Sequence, residues 1–460
     1  MSRRVVVVGA GITGLAAAHR IAVDHPATQL VVLEAATRAG GRLVTSPIVG
    51  LPVDEGADSF LVRVPWATDL FAEAGLGGEL VAPRARTASV WLDGALRPLP
   101  SPNVLGVPLD PNTVADGVLD PSDLERLAGD GRADAGLPAG AGADRDLSVG
   151  QVVRTCVGDA VFERLVDPLL GGVNAGRADD LSCTVMAPQL LEGARHPDGL
   201  LASLREAQQR TNPAAPVFNT HPAGMGHLAN RLSERLGSAL RLGCSVRSLT
   251  ADGPRWVVHS DAGDETADAV VLAVPAAAAA SLLSGLCPTV ADTLAGIEHA
   301  SVSIATFAYR RSDAPVSGDQ SGFLVPRSAG MMMTACSYSG SKWAHLDDGR
   351  HSVLRVSAGR IDDRRPDGLD DDALVAALAA DLAITVGVEA PPVAVRVGRW
   401  PDALAQFRPG HRARMAEAAK QLDDEVPGVV VAGAHHRGVG VPACVGSGTE
   451  AVAALAGHLR

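Results

Sequence analysis

VVVVGAGITGLAAAHRIAVDHPATQLVVLEAATRAGGR, residues 5–42, has the form of a single strand–helix–strand unit. Four β-branched valines at 5–8 fit a parallel strand buried on both faces, and they run directly into Gly9, Ala10, Gly11, Ile12, Thr13 and Gly14. In this GxGxxG setting the first glycine permits the tight strand-to-helix turn and the second lets a pyrophosphate approach backbone. The third lets a helix over 15–23 pack close on the strand. Phosphates then meet free amides at the helix N-terminus. A second apolar strand over 30–33 ends at Glu34, twenty positions beyond Gly14, where a carboxylate can accept hydrogen bonds from both hydroxyls of a free ribose. Ala35 is next, and Gly40, Gly41 and Arg42 close a second glycine turn. A lone GxGxxG is a weak signal, but these elements in this order predict a dinucleotide site.

Residues downstream of the second glycine turn identify the nucleotide. Asp54, Glu55, Gly56, Ala57, Asp58, Ser59 and Phe60 stand there, about a dozen positions on from Arg42. The two segments together resemble the FAD-dependent amine oxidase superfamily, in which a GGR element comes after the ribose acid and an (E)xGxxS(F) segment passes beside the flavin. The resemblance implies FAD contacts at Gly41, Arg42, Gly56, Ala57, Asp58 and Ser59.

A chain of 460 residues fits two or three interleaved domains and can bury a large cofactor. Its 47% hydrophobic and 20% charged residues are those of a globular protein, and 3% aromatic residues argue against base-stacking surfaces. A net charge of −12 repels nucleic acid and anionic lipid on average. The six cysteines form no CxxC pair, so neither a zinc knuckle nor a disulfide framework is expected and a reducing cytoplasm is. The N-terminal apolar run is a strand broken by glycines rather than a signal peptide, and the longest uncharged run, 269–288, is broken by Pro275. No transmembrane segment is expected, which leaves peripheral membrane contact open.

Further along, 62–80 reads as helix, and strands over 89–92 and 96–99 turn on Asp93 and Gly94. Residues 101–210 read as mainly helical around 129–146, a Gly/Ala/Asp stretch read as a mobile loop. Within them FERLVDPLLGGVNAGRADDLS, 162–182, reads as a helix stopped by Pro168 and capped by Gly171 and Gly172. It also resembles the DP…GV.AG…LS segment of protoporphyrinogen and coproporphyrinogen oxidases. AGMGHL, 223–228, precedes a helix, and strands over 240–249, 256–260 and 269–274 are expected to rebuild the nucleotide sheet. By resemblance Val246 lies against the flavin nucleotide; as a residue it reads equally as an ordinary strand valine. Strands over 302–309, 322–325, 331–335 and 353–357 predict a second sheet, with Met331, Met332 and Met333 as pocket wall or core, and a helix over 370–386 comes next.

RWPDALAQFRPGH, 399–411, resembles the same oxidases' RW..A.PQY..GH, with Ala405 and Phe407 replacing proline and tyrosine, and the resemblance places Trp400 beside the flavin; as a residue it also reads as a buried core tryptophan. A strand over 429–432 leads into GAHHRGVGVPACVGSGTEAVAAL, 433–455, which resembles the C-terminal flavin signature. There Val439, Gly440 and Val441 would bring backbone and the positive end of a helix to the N1/C2-carbonyl edge of the flavin. Cys444 is not placed for covalent attachment, so FAD is expected to bind non-covalently. His435 and His436, read as extended chain, point in opposite directions and make no metal site. No Ser/His/Asp set or paired-carboxylate site is present, so no catalytic residue is assigned.

The resemblance spans nearly the whole chain. It implies an α/β + α fold: a discontinuous Rossmann-like FAD domain (1–85, 219–300, 425–460), a mixed-sheet substrate domain (86–100, 301–424) and a helical domain (101–218). It further implies oxidation of a porphyrinogen to a porphyrin, with molecular oxygen reoxidising FAD and hydrogen peroxide released. The soluble bacterial relatives point to coproporphyrinogen III and to hand-over to the next haem-pathway enzyme. A protoporphyrinogen IX oxidase, another amine-oxidase-type oxidoreductase and a non-catalytic FAD binder are the alternatives. Asp58 and Ala88 stand where some relatives carry arginine, so neither anchors a propionate; Arg63 and Arg84 are the substitutes considered.

Overall fold

A computed structural model describes residues 3–129, 137, 146–210, 212, 215–316 and 318–459. Five parallel strands form one sheet in the order Leu240–Leu242, Gln29–Glu34, Arg4–Val8, Ala269–Leu272, Val429–Val431. Alternation along Arg4–Val8 explains why it had to be apolar throughout. Val5 and Val7 enter one core, Val6 and Val8 the other. Helices Ile12–Asp24, Trp66–Glu73, Gly226–Leu236 and Val441–Ala454 contribute to the first core. Ala276–Leu283, Pro288–Ala295 and His411–Glu425 contribute to the second.

The second sheet has seven strands in the order Ala394–Ala405, His299–Arg310, His351–Ala358, Met333–Tyr338, Gln320–Leu324, Thr87–Leu92, Ala95–Pro98. It is antiparallel except where Gln320–Leu324 meets Thr87–Leu92. Helix Asp371–Val386, capped by the Asp370 carboxylate accepting the Ala373 amide, contributes Leu374, Leu378 and Leu382 to the core shared with this sheet. Met333 is fully buried in that core with Met331 and Met332 against it, so the three methionines are packing.

Several local expectations are corrected. The strand expected over 240–249 breaks at Gly243 (φ +68°), and only Leu240–Leu242 joins the nucleotide sheet. Val246–Asp252 pairs instead with Arg255–Ser260, which pairs in turn with Gly263–Ala267, in a separate antiparallel sheet. The helix expected over 62–80 is confined to Trp66–Glu73, because Pro65 precedes it and Gly75 (φ +83°) comes after it. Pro168 does not stop its helix. The chain widens to π geometry over Phe162–Val166 and continues as Asp167–Asn174, passing a residue without an N–H. Its cap is Ala175 in the left-handed region, and Gly171 lies inside the helix, where a Cβ would come 2.8 Å from the Gly176 carbonyl oxygen. Of the expected loop over 129–146, all but Gly129, Leu137 and Asp146 lie outside the described residues.

Candidate cofactor and active site

At the carboxyl end of the nucleotide sheet, Glu34 is fixed by backbone. Its Oε2 accepts the Ala10 amide at 2.6 Å and its Oε1 the Ala36 amide at 2.8 Å. Each carboxylate oxygen retains a lone pair for a ribose hydroxyl. Gly9 takes φ +97°, and a Cβ there would lie 2.4 Å from the Ala273 carbonyl oxygen. A Cβ on Gly14 would lie 1.9 Å from the Gly9 oxygen, which is why strand and helix can touch. Gly11 differs, since a Cβ there meets nothing within 4 Å. It opens onto free space at the start of helix Ile12–Asp24, which no side chain caps. Ile12 and Thr13 belong to that uncapped first turn, and Ala35 is exposed beyond Glu34.

A second uncapped helix start lies close by. Val441–Ala454 begins at Gly440, again without a side-chain cap and with Pro442 in its first turn. Gly448 lets it pack against the first helix, where a Cβ would be 2.3 Å from the Thr13 carbonyl oxygen. Val439 is half-buried, Val441 is buried, and the buried Cys444 thiol is pushed by desolvation to about 11. That thiol is inert at neutral pH. Arg42 is near it, half-buried and donating to the Asp402 carbonyl oxygen at 3.2 Å, with its basicity lowered by desolvation. No carboxylate pairs with Arg42 among the described residues. Two helix N-termini and an arginine without a carboxylate partner form a site for an anionic cofactor.

Distant motifs converge on the 55–59 segment. A Cβ on Gly56 would meet the Arg42 carbonyl oxygen at 2.3 Å and Trp400 Cζ2 at 3.4 Å, so all three sit together. Trp400 Nε1 donates to the Glu55 carbonyl oxygen at 3.2 Å, and Arg355 donates to that of Gly56 at 2.6 Å. Ala57 packs on the first core, and Ser59 donates to Asp58 at 3.0 Å. Asp58 also pairs with Lys342 at 2.9 Å and Arg355 at 3.0 Å, two partners the motifs did not reveal. One signal was available, because Lys342 is one of only two lysines in the chain. Val246 comes shortly after Gly243 and Cys244, whose amides donate to the carbonyl oxygens of Ala36 and Glu34.

The 162–182 and 399–411 segments also meet: Gln406 donates to the Asn174 carbonyl oxygen at 2.9 Å and the Ser182 amide to that of Phe407 at 2.6 Å. Arg84 is committed to Asp347 at 3.0 Å and to the Gly340 carbonyl, while Arg63 is simply exposed. His435 and His436 lie in a one-turn helix, Ala434–Arg437, rather than on extended chain. Burial lowers His435 to about 3 and keeps it neutral, and its carbonyl bonds to His411 Nε2 at 2.8 Å. No cluster of three or more His, Cys, Asp or Glu side chains able to hold a metal is present among the described residues.

A model of flavin containing amine oxidoreductases matches residues 12–456. The chain belongs to that family. The coproporphyrinogen III oxidase of Mycobacterium tuberculosis (strain H37Rv) is 35% identical over 460 residues, covering 98% of this chain and 97% of the relative. That of Bacillus subtilis (strain 168) is 30% identical over 464 residues, with the same coverage. A solved structure from Exiguobacterium sp. 255-15, provisionally named a protoporphyrinogen oxidase, superposes with TM-score 0.89 at 29% identity over 99% of both chains. The cyclohexylamine oxidase of Brevibacterium oxydans IH-35A (TM-score 0.72, 18% identity, all of both chains) shares the fold. Membership establishes a flavin cofactor, and the uncapped helices, Glu34 and Arg42 fit one.

Asp54 directly precedes the 55–59 segment. Its Oδ1 accepts the Met225 amide at 2.9 Å and the Thr45 hydroxyl, while burial pushes its pKa up to about 6. Because the folded value lies above the ordinary 3.8, the associated stability is complete below pH 3.8 and lost as pH rises through about 6. Asp54→Asn keeps the acceptor and removes the buried charge. It should stabilise the protein by about 1–3 kcal/mol at pH 8, with most of that advantage gone at pH 4, as read from chemical denaturation at both pH values.

Proposed function

We propose that the protein oxidises coproporphyrinogen III to coproporphyrin III in haem biosynthesis, with FAD bound non-covalently and molecular oxygen as acceptor. The observation that carries this reading is the similarity, at 30–35% identity over nearly the full length, to relatives named coproporphyrinogen III oxidase. Six hydrogens leave the macrocycle in three rounds, each releasing one hydrogen peroxide. When bound, FAD supplies the hydride acceptor. The chain's own residues bind, orient and screen: Glu34 takes the ribose, and the amides after Gly11 take the pyrophosphate. The helix starting at Val441 would favour negative charge at the flavin edge, and Trp400 and Gly56 would wall the ring. Tyr309 and Tyr338, the only tyrosines, are buried in the core of the seven-stranded sheet, which argues against an aromatic cage for an amine.

The lobes are taken as 1–85, 219–300 and 425–460 for FAD, 86–100 and 301–424 for substrate, and 101–218 as the helical part, except that helix His411–Glu425 packs on the nucleotide sheet and goes with the FAD lobe. No helix among the described residues is long and apolar enough to cross a membrane, and a cytoplasmic enzyme handing its product to the next haem-pathway step fits the reading. Steady-state oxidation of coproporphyrinogen III and protoporphyrinogen IX under equal oxygen tests it. A higher kcat/KM for coproporphyrinogen III is expected, and the opposite order reassigns the substrate while leaving the reaction type. Denaturation should release FAD; release of NAD would defeat the cofactor assignment. Glu34→Ala should weaken FAD by about 1.5–3 kcal/mol in titrations of apoprotein, the worth of hydrogen bonds to a charged group.

A further inference from the structure

One charged cluster is centred on Asp58, within the 55–59 segment that the resemblance sets beside the flavin. Asp58 Oδ2 receives Lys342 Nζ at 2.9 Å and pairs with Arg355 Nη1 at 3.0 Å. Burial opposes its charge, but Lys342 and Arg355 outweigh burial and hold Asp58 well below the usual carboxylate range. Asp58, Lys342 and Arg355 together carry a net charge of +1, and the buried Asp54 carboxylate lies close enough to act on Arg355 and Asp58.

Donors outnumber acceptors here. Lys342 has three N–H groups, and among the described residues only Asp58 accepts one, the Trp343 ring lying 5.1 Å from the ammonium. Three buried polar atoms close by in the chain or the sheet have no hydrogen-bond partner among the described residues: Ser339 Oγ, Trp343 Nε1 and Arg355 Nε. Ser339 and Trp343 are each 2% exposed, and the Arg355 side chain 9%. Ser339–Lys342 is the turn that ends strand Met333–Tyr338, and Arg355 stands opposite Ser337 on the neighbouring strand. An ammonium with two N–H groups unaccepted among the described residues, beside buried donors without acceptors, matches an incoming carboxylate.

We propose that Lys342 binds a carboxylate of the substrate, with Asp58 and Arg355 as positioning residues that hold the ammonium in place. The inference rests on the porphyrinogen oxidase reading and gives that substrate its propionate anchor. It also accounts for the absence of arginine at 58 and 88, since the cation comes from a different strand end and is oriented by the aspartate.

The test is equilibrium binding of coproporphyrin III and of its uncharged tetraamide to holoenzyme, read by porphyrin fluorescence, alongside turnover. Wild type should bind the acid at least tenfold more tightly than the amide. Lys342→Met should abolish that preference, and Lys342→Arg should restore most of it. In Lys342→Met the kcat/KM for coproporphyrinogen III should fall at least tenfold, carried mainly by KM, with flavin content and melting temperature near wild type. Equal weakening of acid and amide, or loss of flavin together with both ligands, would make Lys342 a brace for the 55–59 segment and overturn the anchor. A wild type that prefers the acid but oxidises neither porphyrinogen would defeat the functional reading while upholding the anchor.

Discussion

Gly440→Leu is expected to lower turnover about 100-fold while leaving the apoprotein folded. Gly440 has φ −69° and ψ 151°, a conformation open to any residue, and a Cβ there meets only Pro442 Cδ at 3.7 Å. The chain itself therefore accommodates the side chain, and the change in stability should stay within about 0.5 kcal/mol. On the proposed flavin placement, however, the backbone around Val439–Val441 must come within hydrogen-bonding distance of the ring. A leucine side chain occupies that approach, and displacement of a reacting group by about 1 Å can cost about 10²-fold. Steady-state oxidation together with denaturant unfolding of the apoprotein measures the two effects separately. Unchanged turnover would mean that the N-terminus of this helix does not face the flavin.

The second large effect separates two glycines of one motif. Gly14→Ala places a Cβ 1.9 Å from the Gly9 carbonyl oxygen and 3.2 Å from the Ala273 Cβ, so helix Ile12–Asp24 must move away from its strand. Overpacking of this kind costs about 1–3 kcal/mol or more, against a gain of about 1 kcal/mol in helix propensity, and the moving helix carries the phosphate-binding amides with it. Loss of stability together with loss of FAD is expected. Gly11→Ala meets no protein atom within 4 Å and should fold normally, yet fill the space through which a pyrophosphate approaches. Melting temperature and FAD dissociation constant, measured on both variants, should therefore separate: both quantities change for Gly14→Ala, only the second for Gly11→Ala. Equal FAD affinity of Gly11→Ala and wild type would remove the pyrophosphate from this loop.

Where a signal is local, it was legible. The four valines, the spaced glycines and Glu34 specify a strand, a turn and a helix start through backbone sterics and burial alone, and Arg4–Val8, Ile12–Asp24 and Gln29–Glu34 form as those residues require. Helix Asp371–Val386 was likewise announced by Asp370, whose carboxylate accepts the Ala373 amide. The misreadings came from partners far off in sequence. Trp256 looked like part of the nucleotide sheet because alternation reports a half-buried strand without naming the sheet it joins. Pro168 looked like a terminator because the rule assumes α geometry, and a widened turn removes the conflict. His435 and His436 looked extended because nothing in two adjacent histidines indicates the one-turn helix that buries the first of them.

By itself, then, the sequence determined the strand–turn–helix–strand unit with its ribose acid, because each part depends on a residue's own backbone freedom or on neighbours within a few positions, while the flavin family was legible through the resemblance of its motifs. Only the tertiary structure brought Gly56 against Arg42 and Trp400 and gave Asp58 its two cations. Lys342 and Arg355 lie 284 and 297 positions beyond Asp58, and a charge pair leaves no periodic trace in a chain. The energy that fixes such a pair depends on distance and burial, and both exist only once the sheets have packed.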